Sequence, residues 1–428
     1  MKPALLGGEK AVKSKYEIFP LVTEKGVTDV NNMMTSGDIS ISPIFRTFEE
    51  RFASYIGVDY AVSCCNGTTS IQSALLTLGV GTGDEVIVPS FTFWATVGPV
   101  IACNAIPVFA DVDIDMQTIT AEHIKKVITP KTKAIIIVHT WGTPCDIEPI
   151  IQLAKEHNIK VIEDCSHAHG AEYNGKKVGS FGDLACFSLQ GSKVLAAGEG
   201  GIMVTNNRNY YEYACALGHY ERIEGFSENS AVKKFIGTGI GYKHRPHPLG
   251  IAIANAGLDV LDERNEIRYQ YGMLFNSMIS DLDFLVPQKT PEEGKRVFAY
   301  HYMRYVPEKL KGLGIATLFK ALSAEGVLGG SCGYGKLHRS PFVTDVNIPD
   351  YSIPALPSTE NLAINSIMAA PRFENVSRVL IEEYAEAYHK IADNVDSLLE
   401  YEATLKKEEL EINKNANKSI NTFQEVLK

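Results

Sequence analysis

Short apolar runs alternate with amphipathic stretches over residues 45–205. The runs are continuous rather than alternating, which is the pattern of parallel strands covered by helices on both faces. They predict strands at residues 60–63, 85–88, 106–109, 134–138 and 160–163. The stretches between them have helical spacing and predict helices at residues 45–56, 69–78 and 147–156. This alternation forms βαβ units, so the pattern predicts an α/β fold with a mostly parallel central sheet.

The pattern changes beyond residue 260. A long helix is predicted at 258–278, followed by a looser Gly- and Pro-rich region with a short strand at 296–300 and a helix at 379–399. These elements predict a smaller α+β domain. We therefore expect a large α/β domain with an N-terminal arm, a small C-terminal domain, and a charged tail that is a solvated helix or a frayed end. The predicted ranges are 1–260, 261–400 and 401–428.

The composition is that of a globular protein, with 45% hydrophobic and 21% charged residues among 428. No segment approaches the run of about 20 apolar residues that crosses a bilayer, and the N-terminus lacks the apolar stretch of a signal peptide. The net charge of −10 argues against nucleic-acid binding. The eight cysteines form no Cys-x-x-Cys pair, so neither a disulfide framework nor a zinc site is indicated. We expect a cytoplasmic protein with reduced thiols and no membrane or nucleic-acid partner.

One lysine and one carboxylate indicate a cofactor. Lys193 lies in a Gly- and Ser-rich loop, and Asp164 closes the predicted strand at 160–163. A lysine amine can form a Schiff base with an aldehyde, and a strand-end carboxylate can keep a pyridinium nitrogen protonated. At about 4 Å and an effective dielectric near 20, that charge pair is worth roughly 4 kcal/mol. The pair predicts pyridoxal 5′-phosphate (PLP), although a lone loop lysine is usually only solvated.

Two further segments could complete such a site. Residues 66–70 read Asn-Gly-Thr-Thr-Ser between a strand and a helix, where backbone N–H groups form an anion site; an ordinary capped helix start is the alternative. Phe91, Phe93 and Trp94 follow the strand at 85–88 and could stack on a flat cofactor, with core packing as the alternative. Ser188, upstream of Lys193, could donate to a phosphate.

Residues 163–170 invite a metal hypothesis, because they include Glu163, Asp164, His167 and His169. The short loop has no i, i+4 pair of ligands, however, and no distant ligand partner is evident. A strand-end carboxylate at the edge where ligands bind is better suited to a pyridinium nitrogen. We therefore expect no metal.

Taken together, these motifs resemble the DegT–StrS family, whose members use PLP to aminate keto sugars and cyclitols. The resemblance covers nearly the whole chain, and its most specific segments are residues 163–170 and 188–201. It extends to residues 79–89 and 381–388. It implies a fold-type I PLP-transferase, similar to aspartate aminotransferase. It also implies a homodimer with active sites at the subunit interface.

The resemblance implies a role for each candidate site residue. Lys193 would form the Schiff base and Asp164 would hold the pyridine nitrogen. Phe93 would stack on the ring, with Trp94 as the alternative and a substrate-side candidate, and His167 would lie near the phenolic oxygen. The phosphate would be bound by Gly67, Thr68, Thr69 and Ser188.

Two positions bear on the partner subunit and the substrate. Many members carry an Asn where this chain has Lys243, in a loop that reaches across the dimer to the phosphate; a cation there could serve the same role. Residues 333–341 resemble the branch that contains scyllo-inosose aminotransferases, and sugar-nucleotide members carry a related His in this segment. His338 is therefore a substrate-binding candidate, with a surface-turn histidine as the alternative.

The implied reaction is ping-pong amino transfer from glutamate or glutamine to the keto group of a nucleotide-linked sugar or of a scyllo-inosose-like cyclitol. Lys193 would act as general base and acid in both halves. One alternative is a PLP-dependent keto-deoxysugar dehydratase, but such members replace the lysine, often with His. The other is a noncatalytic regulatory member, which should have lost Asp164 or Lys193. Both residues are present, which favours the aminotransferase.

Overall fold

The computed structural model describes residues 1–346, 348 and 352–405. Its strands, in chain order, are β1 Tyr60–Cys64, β2 Glu85–Pro89, β3 Ile106–Ala110, β4 Thr132–Val138, β5 Lys160–Asp164, β6 Glu172–Tyr173, β7 Lys176–Lys177, β8 Leu184–Ser188, β9 Gly201–Thr205, β10 Leu285–Pro287, β11 Gly294–Lys295, β12 His301–Tyr305, β13 Gly330–Ser331 and β14 Ser366–Ala370.

The α-helices are α1 Glu24–Ser36, α2 Ile44–Ile56, α3 Gly67–Thr77, α4 Trp94–Ala102, α5 Ala121–Lys125, α6 Ile147–Glu156, α7 Arg208–Gly218, α8 Pro248–Gly257, α9 Leu261–Met278, α10 Ile315–Ala324, α11 Pro341–Thr344, α12 Pro357–Asn365, α13 Arg378–Asp393 and α14 Val395–Thr404. Gly57 shows how one of them ends: it follows α2 with a φ of 84°, in the left-handed region that glycine adopts without strain.

The central sheet has seven strands in the order β1-β9-β8-β5-β4-β2-β3. Only β9 runs against its neighbours; β8, β5, β4, β2 and β3 pair in parallel, and β1 points the same way as they do. The predicted mostly parallel sheet is therefore confirmed. Its consequence is that the carboxyl ends of β1, β2, β4, β5 and β8 meet at one edge.

Both faces of this sheet are covered. In β4, Ile135 and Ile137 pack in the core that contains α2 and α6, whereas Ile136 packs on the opposite face with α3 and α4. Successive side chains of a strand point to opposite faces, so a strand buried on both sides must be apolar throughout. This is why the sequence shows continuous apolar runs.

A smaller sheet, β10-β12-β14-β13, forms the base of a second core with α9, α10 and α13. Helix α9 joins the two cores, because Leu261 packs in the large one and Phe275 in the small one. The predicted division at residues 260 and 261 falls at the start of this helix and stays a prediction. Of the predicted tail, residues 401–404 end α14, and residues 406–428 lie outside the described residues.

Two sequence-based elements were wrong in this half. Residues 296–300 are not a strand; the strand is β12, which begins at His301 and pairs with both β10 and β14. The helix predicted at 379–399 is two helices, α13 and α14, separated at Asn394. Asn394 has ψ of 24° and φ of −120°, and its side chain donates to the carbonyls of Lys390 and Met1. A side chain that competes for helical carbonyls ends a helix that apolar periodicity alone would continue.

The N-terminal segment lies on the small core. Ala11 and Val12 pack in it, and the buried carboxylate of Glu325 accepts from the backbone N–H groups of Ala4 and Ala11. Lys390 compensates this carboxylate, with its Nζ 2.9 Å from Glu325 Oε2. A buried, paired charge therefore attaches the predicted N-terminal arm to the smaller domain.

Candidate active site

The candidate residues converge where the parallel strands end. Asp164 is the last residue of β5 and Ser188 the last residue of the adjacent β8. Helix α3 begins at Gly67 shortly after β1, and Phe93 follows β2. Trp141 follows β4, on the other side of β5. The carboxyl edge of the sheet is where open α/β folds bind ligands, and it is formed here by five separate segments. We call the space between these segments the crevice.

Asp164 is 4% exposed and its carboxylate is held in a fixed orientation. Thr96 Oγ1 donates to Oδ2 at 2.8 Å, and the backbone N–H of Ser166 donates to Oδ1 at 3.1 Å. Thr96 is itself 2.9 Å from the hydroxyl of Thr92. Since each carboxylate oxygen can accept more than one hydrogen bond, Asp164 keeps acceptor capacity for a cationic N–H.

Glu163, the neighbour of Asp164, points to the other face of the sheet and is fully buried. It accepts from the N–H groups of Gly179, Phe181 and Gly182, and His139 Nε2 lies 3.1 Å away. Burial by itself raises the pKa of Glu163, but these hydrogen bonds outweigh it and lower the pKa below its ordinary value. Glu163 thus fixes the loop before β8 rather than facing the crevice.

His139 is also the distant partner that the metal hypothesis lacked in the sequence. Donor atoms of His139, Glu163 and Cys165 lie within 4.8 Å of one another. The two oxygens of Glu163 are engaged as described above, and His139 Nδ1 accepts from the N–H of Cys145 at 3.0 Å. Burial raises the pKa of the Cys165 thiol well above its ordinary value. These hydrogen bonds account for the cluster as a structural one.

Lys193 lies in a tight turn after β8. Its backbone N–H donates to the carbonyl of Gln190 at 2.8 Å. Its charge reaches three ring side chains at the crevice. Burial first, and then the Lys193 charge, lower the pKa of His167 well below its ordinary value and that of His169 to about 3. Burial raises the pKa of Tyr300, but Lys193, Ser192 and Arg372 lower it by more.

The predicted phosphate residues surround the start of α3. A Cβ on Gly67 would lie 2.7 Å from Ser188 Cβ, so only glycine allows the helix to approach β8 this closely. Asn66 and Thr69 form a capping box, which engages the Thr69 hydroxyl. Among the described residues, the Thr68 hydroxyl makes no hydrogen bond, so Thr68 and Ser188 offer the side-chain donors for an anion here.

Phe93 and Trp94 are both about half exposed, at 48% and 51%. The Phe93 ring lies 6.5 Å from the Tyr334 ring, on the crevice side. Trp94 instead extends along its own helix, where a Cβ on Gly98 would lie 3.7 Å from the indole. This geometry favours Phe93 over Trp94 as the ring that stacks on a ligand.

His167 belongs to a stack of three rings. Its ring is 5.4 Å from Trp141 with an interplanar angle of 9°, and Trp141 is 4.4 Å from Tyr334 at 23°. The Tyr334 hydroxyl is 3.5 Å from His167 Nε2. Trp141 has a φ of 59°, which is uncommon for a bulky residue and is a conformation found at functional sites.

Five residues of the crevice were given no role from the sequence, namely Trp141, Tyr334, Tyr300, Thr96 and Arg372. Tyr334 lies within the segment 333–341 that carried the resemblance, whereas Tyr300, Thr96 and Arg372 had no signal as site residues, since each reaches the crevice through contacts with distant segments. Trp141 offered a weak signal: it stands beside Gly142 directly after a buried strand, at the ligand-binding edge.

His338 is fully buried, so the surface-turn alternative is wrong. Its Nδ1 lies 2.7 Å from Ser90 Oγ, and its Nε2 lies 3.5 Å from a carboxylate oxygen of Glu360. These contacts place His338 behind the end of β2. A direct contact with substrate stays a prediction.

Lys243 is exposed, on a loop whose neighbours are anchored. The His244 carbonyl accepts from the N–H of Cys65 at 2.7 Å, and the His244 ring is 2.9 Å from Ser73 Oγ. Arg245 forms an ion pair with Glu221 at 2.8 Å. The loop is thus fixed beside the α3 start while the Lys243 side chain projects into solvent.

Comparisons with known proteins agree with this geometry. The model of the DegT/DnrJ/EryC1/StrS aminotransferase family matches residues 20–382. The chain is 32% identical over 351 residues to an L-glutamine:2-deoxy-scyllo-inosose aminotransferase from Streptomyces kanamyceticus, covering 76% of this chain and 79% of that protein. It is 37% identical over 289 residues to a GDP-perosamine synthase from Escherichia coli O157:H7, covering 66% of this chain and 75% of that protein.

A solved aminotransferase from Psychrobacter cryohalolentis superimposes with a TM-score of 0.81 at 26% identity, covering 89% of this chain and all of that one. The superposition supports the fold-type I architecture. In the part of the chain that the structure describes, no helix combines the length and apolar character that a membrane crossing requires. The resemblance seen in the motifs is confirmed: the chain belongs to the DegT/DnrJ/EryC1/StrS family and is an aminotransferase.

Proposed function

We propose that this aminotransferase uses PLP to move an amino group from glutamate or glutamine to a keto group on a sugar or a cyclitol. The observation that carries the proposal is the convergence of Lys193, Asp164, Ser188 and the start of α3 at one edge of the sheet. The acceptor class is supported by the relatives named above, which act on a deoxy-inosose or are named for a GDP-linked sugar.

The residues present are suited to PLP. Asp164 would hold the pyridine nitrogen, and Phe93 would cover one face of the ring. The phosphate would lie between Ser188 and the N-terminus of α3, where the absence of a Cβ on Gly67 lets backbone N–H groups approach. Lys193 would bind the aldehyde carbon. When bound, PLP supplies an aldehyde that joins to amines and a ring that accepts electrons from the bond being broken.

The chain's own residues then handle the protons. In the first half of the reaction, Lys193 Nζ would take the proton from the α-carbon of the donor and deliver it to the former aldehyde carbon of the cofactor. In the second half it would carry a proton from that carbon to the carbon of the acceptor that gains the amine. Asp164, oriented by Thr96, would hold its carboxylate toward the pyridine nitrogen. The aromatic layer of Trp141, His167 and Tyr334 excludes water from this side of the crevice.

Two measurements test the proposal. Borohydride reduction of the holoenzyme, followed by peptide mapping, should attach the cofactor to the peptide that contains Lys193. Glutamate or glutamine, added singly without acceptor, should bleach the visible absorbance of the bound cofactor. The amine-loaded enzyme should then regain that absorbance when given the right member of a panel of keto-cyclitols and nucleotide-linked 3-keto and 4-keto sugars. Labelling at another lysine, or donors that never bleach the absorbance, would contradict the proposal and favour a noncatalytic member.

We also propose a homodimer in which Lys243 reaches the phosphate site of the partner subunit. The exposed side chain on an anchored loop supports this arrangement. Mixing Lys193→Ala protein with Lys243→Ala protein, at PLP so low that each is inactive alone, tests it. Exchange of subunits should create one site with both residues intact, and activity should return. Exchange without activity would mean that Lys243 acts in its own chain.

A reducing compartment, the cytoplasm, is supported by the thiols. All eight cysteines are free, and seven of them are buried. Buried free thiols that stay unpaired are ordinary for proteins kept reduced. Fractionation of the native host would test this placement.

A further inference from the structure

Ser192, the residue before Lys193, is held through all of its polar groups. Its N–H and its hydroxyl both donate to Gln190 Oε1, at 2.8 and 2.6 Å. The hydroxyl also lies 3.1 Å from the hydroxyl of Tyr300. The Ser192 carbonyl accepts from Arg372 Nη1 at 3.1 Å.

These contacts fix a specific peptide bond. The Ser192 carbonyl and the Lys193 N–H belong to the same planar unit. Arg372 holds the carbonyl side of that plane, and the Gln190 carbonyl holds the N–H side at 2.8 Å. A peptide plane fixed at both ends leaves the Lys193 backbone little freedom. The Cα atom from which the Lys193 side chain extends is therefore fixed as well.

The residues that hold Ser192 from outside its own loop come from the smaller domain. Tyr300 immediately precedes β12 and Arg372 closely follows β14, and these strands are paired with His301 opposite Ala370. The register of this pair shifts between His301 and Tyr302, and Tyr300 and Arg372 lie just beyond that irregularity. The two side chains reach Ser192 from adjacent strand ends.

Arg372 is itself anchored. Its Nε lies 3.3 Å from Glu374, a carboxylate 3% exposed that also accepts from Arg268 at 2.9 Å and from the N–H of Phe19 at 2.8 Å. The Tyr16 hydroxyl donates to the Arg372 carbonyl at 3.1 Å. A buried charge network thus joins the N-terminal segment to the loop that contains Ser192 and Lys193. Such networks hold one geometry when every member has its hydrogen-bond partners.

We propose that Tyr300 and Arg372 act as positioning residues for Lys193: they form a clamp, supplied by the smaller domain, that acts on Ser192 and aims the lysine at the cofactor carbon. The inference rests on the proposed role of Lys193. The clamp makes reactivity depend on contact between the two domains, since Lys193 is correctly aimed only when both domains meet at Ser192. Both side chains contact Ser192, so the clamp acts on the reaction through the position of Lys193.

The electrostatic interactions around Lys193 support this arrangement. His167, His169 and Tyr300 face Lys193 closely enough for its charge to alter their pKa values, and Arg372 adds a second positive charge near Tyr300. Asp164 lies on the neighbouring strand end. Moving Lys193 relative to these groups changes its own electrostatic surroundings. The midpoint of the pH titration of the cofactor absorbance therefore depends on where Lys193 lies.

The experiment measures that absorbance titration in holoenzyme without donor or acceptor. Tyr300→Phe and Arg372→Lys should each shift the midpoint by about 0.5–1 pH unit, the equivalent of one hydrogen bond. Each should also lower kcat by about 3–10-fold, while the KM of the donor changes less. Arg372→Lys keeps the positive charge but loses the planar guanidinium group, so a shifted midpoint in this variant reflects geometry rather than charge.

Two matched controls come from β12. Tyr305→Phe removes a buried hydroxyl bonded to the Leu313 carbonyl, and Arg304→Lys perturbs an arginine paired with Asp115 of the large domain. Both should leave the titration midpoint at the wild-type value, even if they lower the melting temperature. A shift of the same size in these controls would mean that any disturbance of the strand moves the midpoint, and would overturn the clamp.

Ser192→Ala provides a variant that leaves the smaller domain intact. It should shift the midpoint in the same direction as Tyr300→Phe and at least as far, because it also removes the hydrogen bond from the Ser192 hydroxyl to Gln190. The double variant should shift by less than the sum of the two single shifts, because both changes remove the Ser192–Tyr300 contact. Unchanged midpoints in Tyr300→Phe, Arg372→Lys and Ser192→Ala would overturn the clamp while borohydride still labels Lys193. Failure to label Lys193 in the wild-type holoenzyme would instead overturn the proposed function, so the two failures are distinguishable.

Discussion

The crevice has two walls of different origin. The large-domain wall is formed by Gly67, Asp164, Ser188 and Lys193, which stand at strand ends, at a helix start and in the turn that follows β8. The opposite wall consists of side chains from the predicted smaller domain, namely Tyr300, Tyr334 and Arg372. Regular backbone places the first set, and contacts between distant segments place the second. We therefore expect the first wall to carry the proposed PLP chemistry and the second to adjust aim and selectivity.

The largest expected effect lies on the large-domain wall, at Lys193. Lys193→Ala removes both the amine proposed to hold the cofactor and the group proposed to move the proton. The proton transfer by itself accounts for about 10²–10⁴-fold in rate. Turnover measured with saturating donor should therefore fall by at least that factor, whereas the exposed Lys176→Ala should be unaffected. Substantial residual turnover would mean that another base serves the site.

Asp164→Asn is the next test of the same wall. The variant keeps its size and should still bind PLP, but the negative charge opposite the pyridine nitrogen is lost. We expect kcat to fall by about 10²–10³-fold, the usual effect of removing one preorganised electrostatic group. Thr96→Val, which removes only the hydrogen bond to Oδ2, should have a much smaller effect. Near-normal turnover in Asp164→Asn would contradict the role given to this carboxylate.

Glu163→Gln separates structure from chemistry within one strand. The buried carboxylate has a lowered folded-state pKa, so its stabilising contribution is present above the unfolded pKa and is lost as pH falls through the folded pKa. The variant should unfold about 1–3 kcal/mol more easily at neutral pH, and the difference from wild type should shrink on acidification. Denaturant-induced unfolding of both proteins at a series of acidic pH values measures this difference in unfolding free energy. Folded Glu163→Gln should retain turnover, unlike Asp164→Asn.

Gly67→Ala tests the closeness of α3 to β8. The added Cβ would lie 2.7 Å from Ser188 Cβ, so the helix start must shift. We expect a loss of about 1–3 kcal/mol in stability, as for other overpacked sites, together with weaker retention of PLP on dialysis. Gly81→Ala, where nothing lies within 4 Å of the added carbon, is the matched control. Equal PLP retention in both variants would remove Gly67 from the phosphate site.

Tyr334→Phe addresses the small-domain wall and should have the smallest effect. It removes the hydroxyl near His167 and keeps the ring in the stack with Trp141. Loss of one weak hydrogen bond corresponds to a kinetic change of about 2–10-fold. We expect this change in the KM of the acceptor rather than in the rate of the donor half-reaction. Stopped-flow measurement of the two half-reactions distinguishes them. An equal change in both halves would place Tyr334 among residues that act on Lys193.

The sequence by itself determined most of the parallel strands and two residues of the large-domain wall. Continuous apolar runs predicted β2 to β5 within two residues of their observed bounds, whereas β8 and β9 were not predicted. Asp164 was found at a strand end and Lys193 in a Gly- and Ser-rich loop. These features are local: burial on both faces requires apolar strands, and a loop that follows a parallel strand must open at the ligand edge. A short window of sequence contains all of that information.

Only the tertiary structure decided the other wall. Tyr300 was placed in a strand predicted at residues 296–300, whereas the observed strand begins at His301. Tyr334 lies in the segment 333–341 that carried the resemblance but was given no role, and Arg372 had no signal. Asn394, which follows helix α13, donates to the carbonyl of Met1 at the opposite end of the chain. Ser192 and Arg372 meet across 180 positions, and His338 meets Ser90 across 248. Such contacts join segments that lie far apart in the chain, and no periodicity within either segment encodes them.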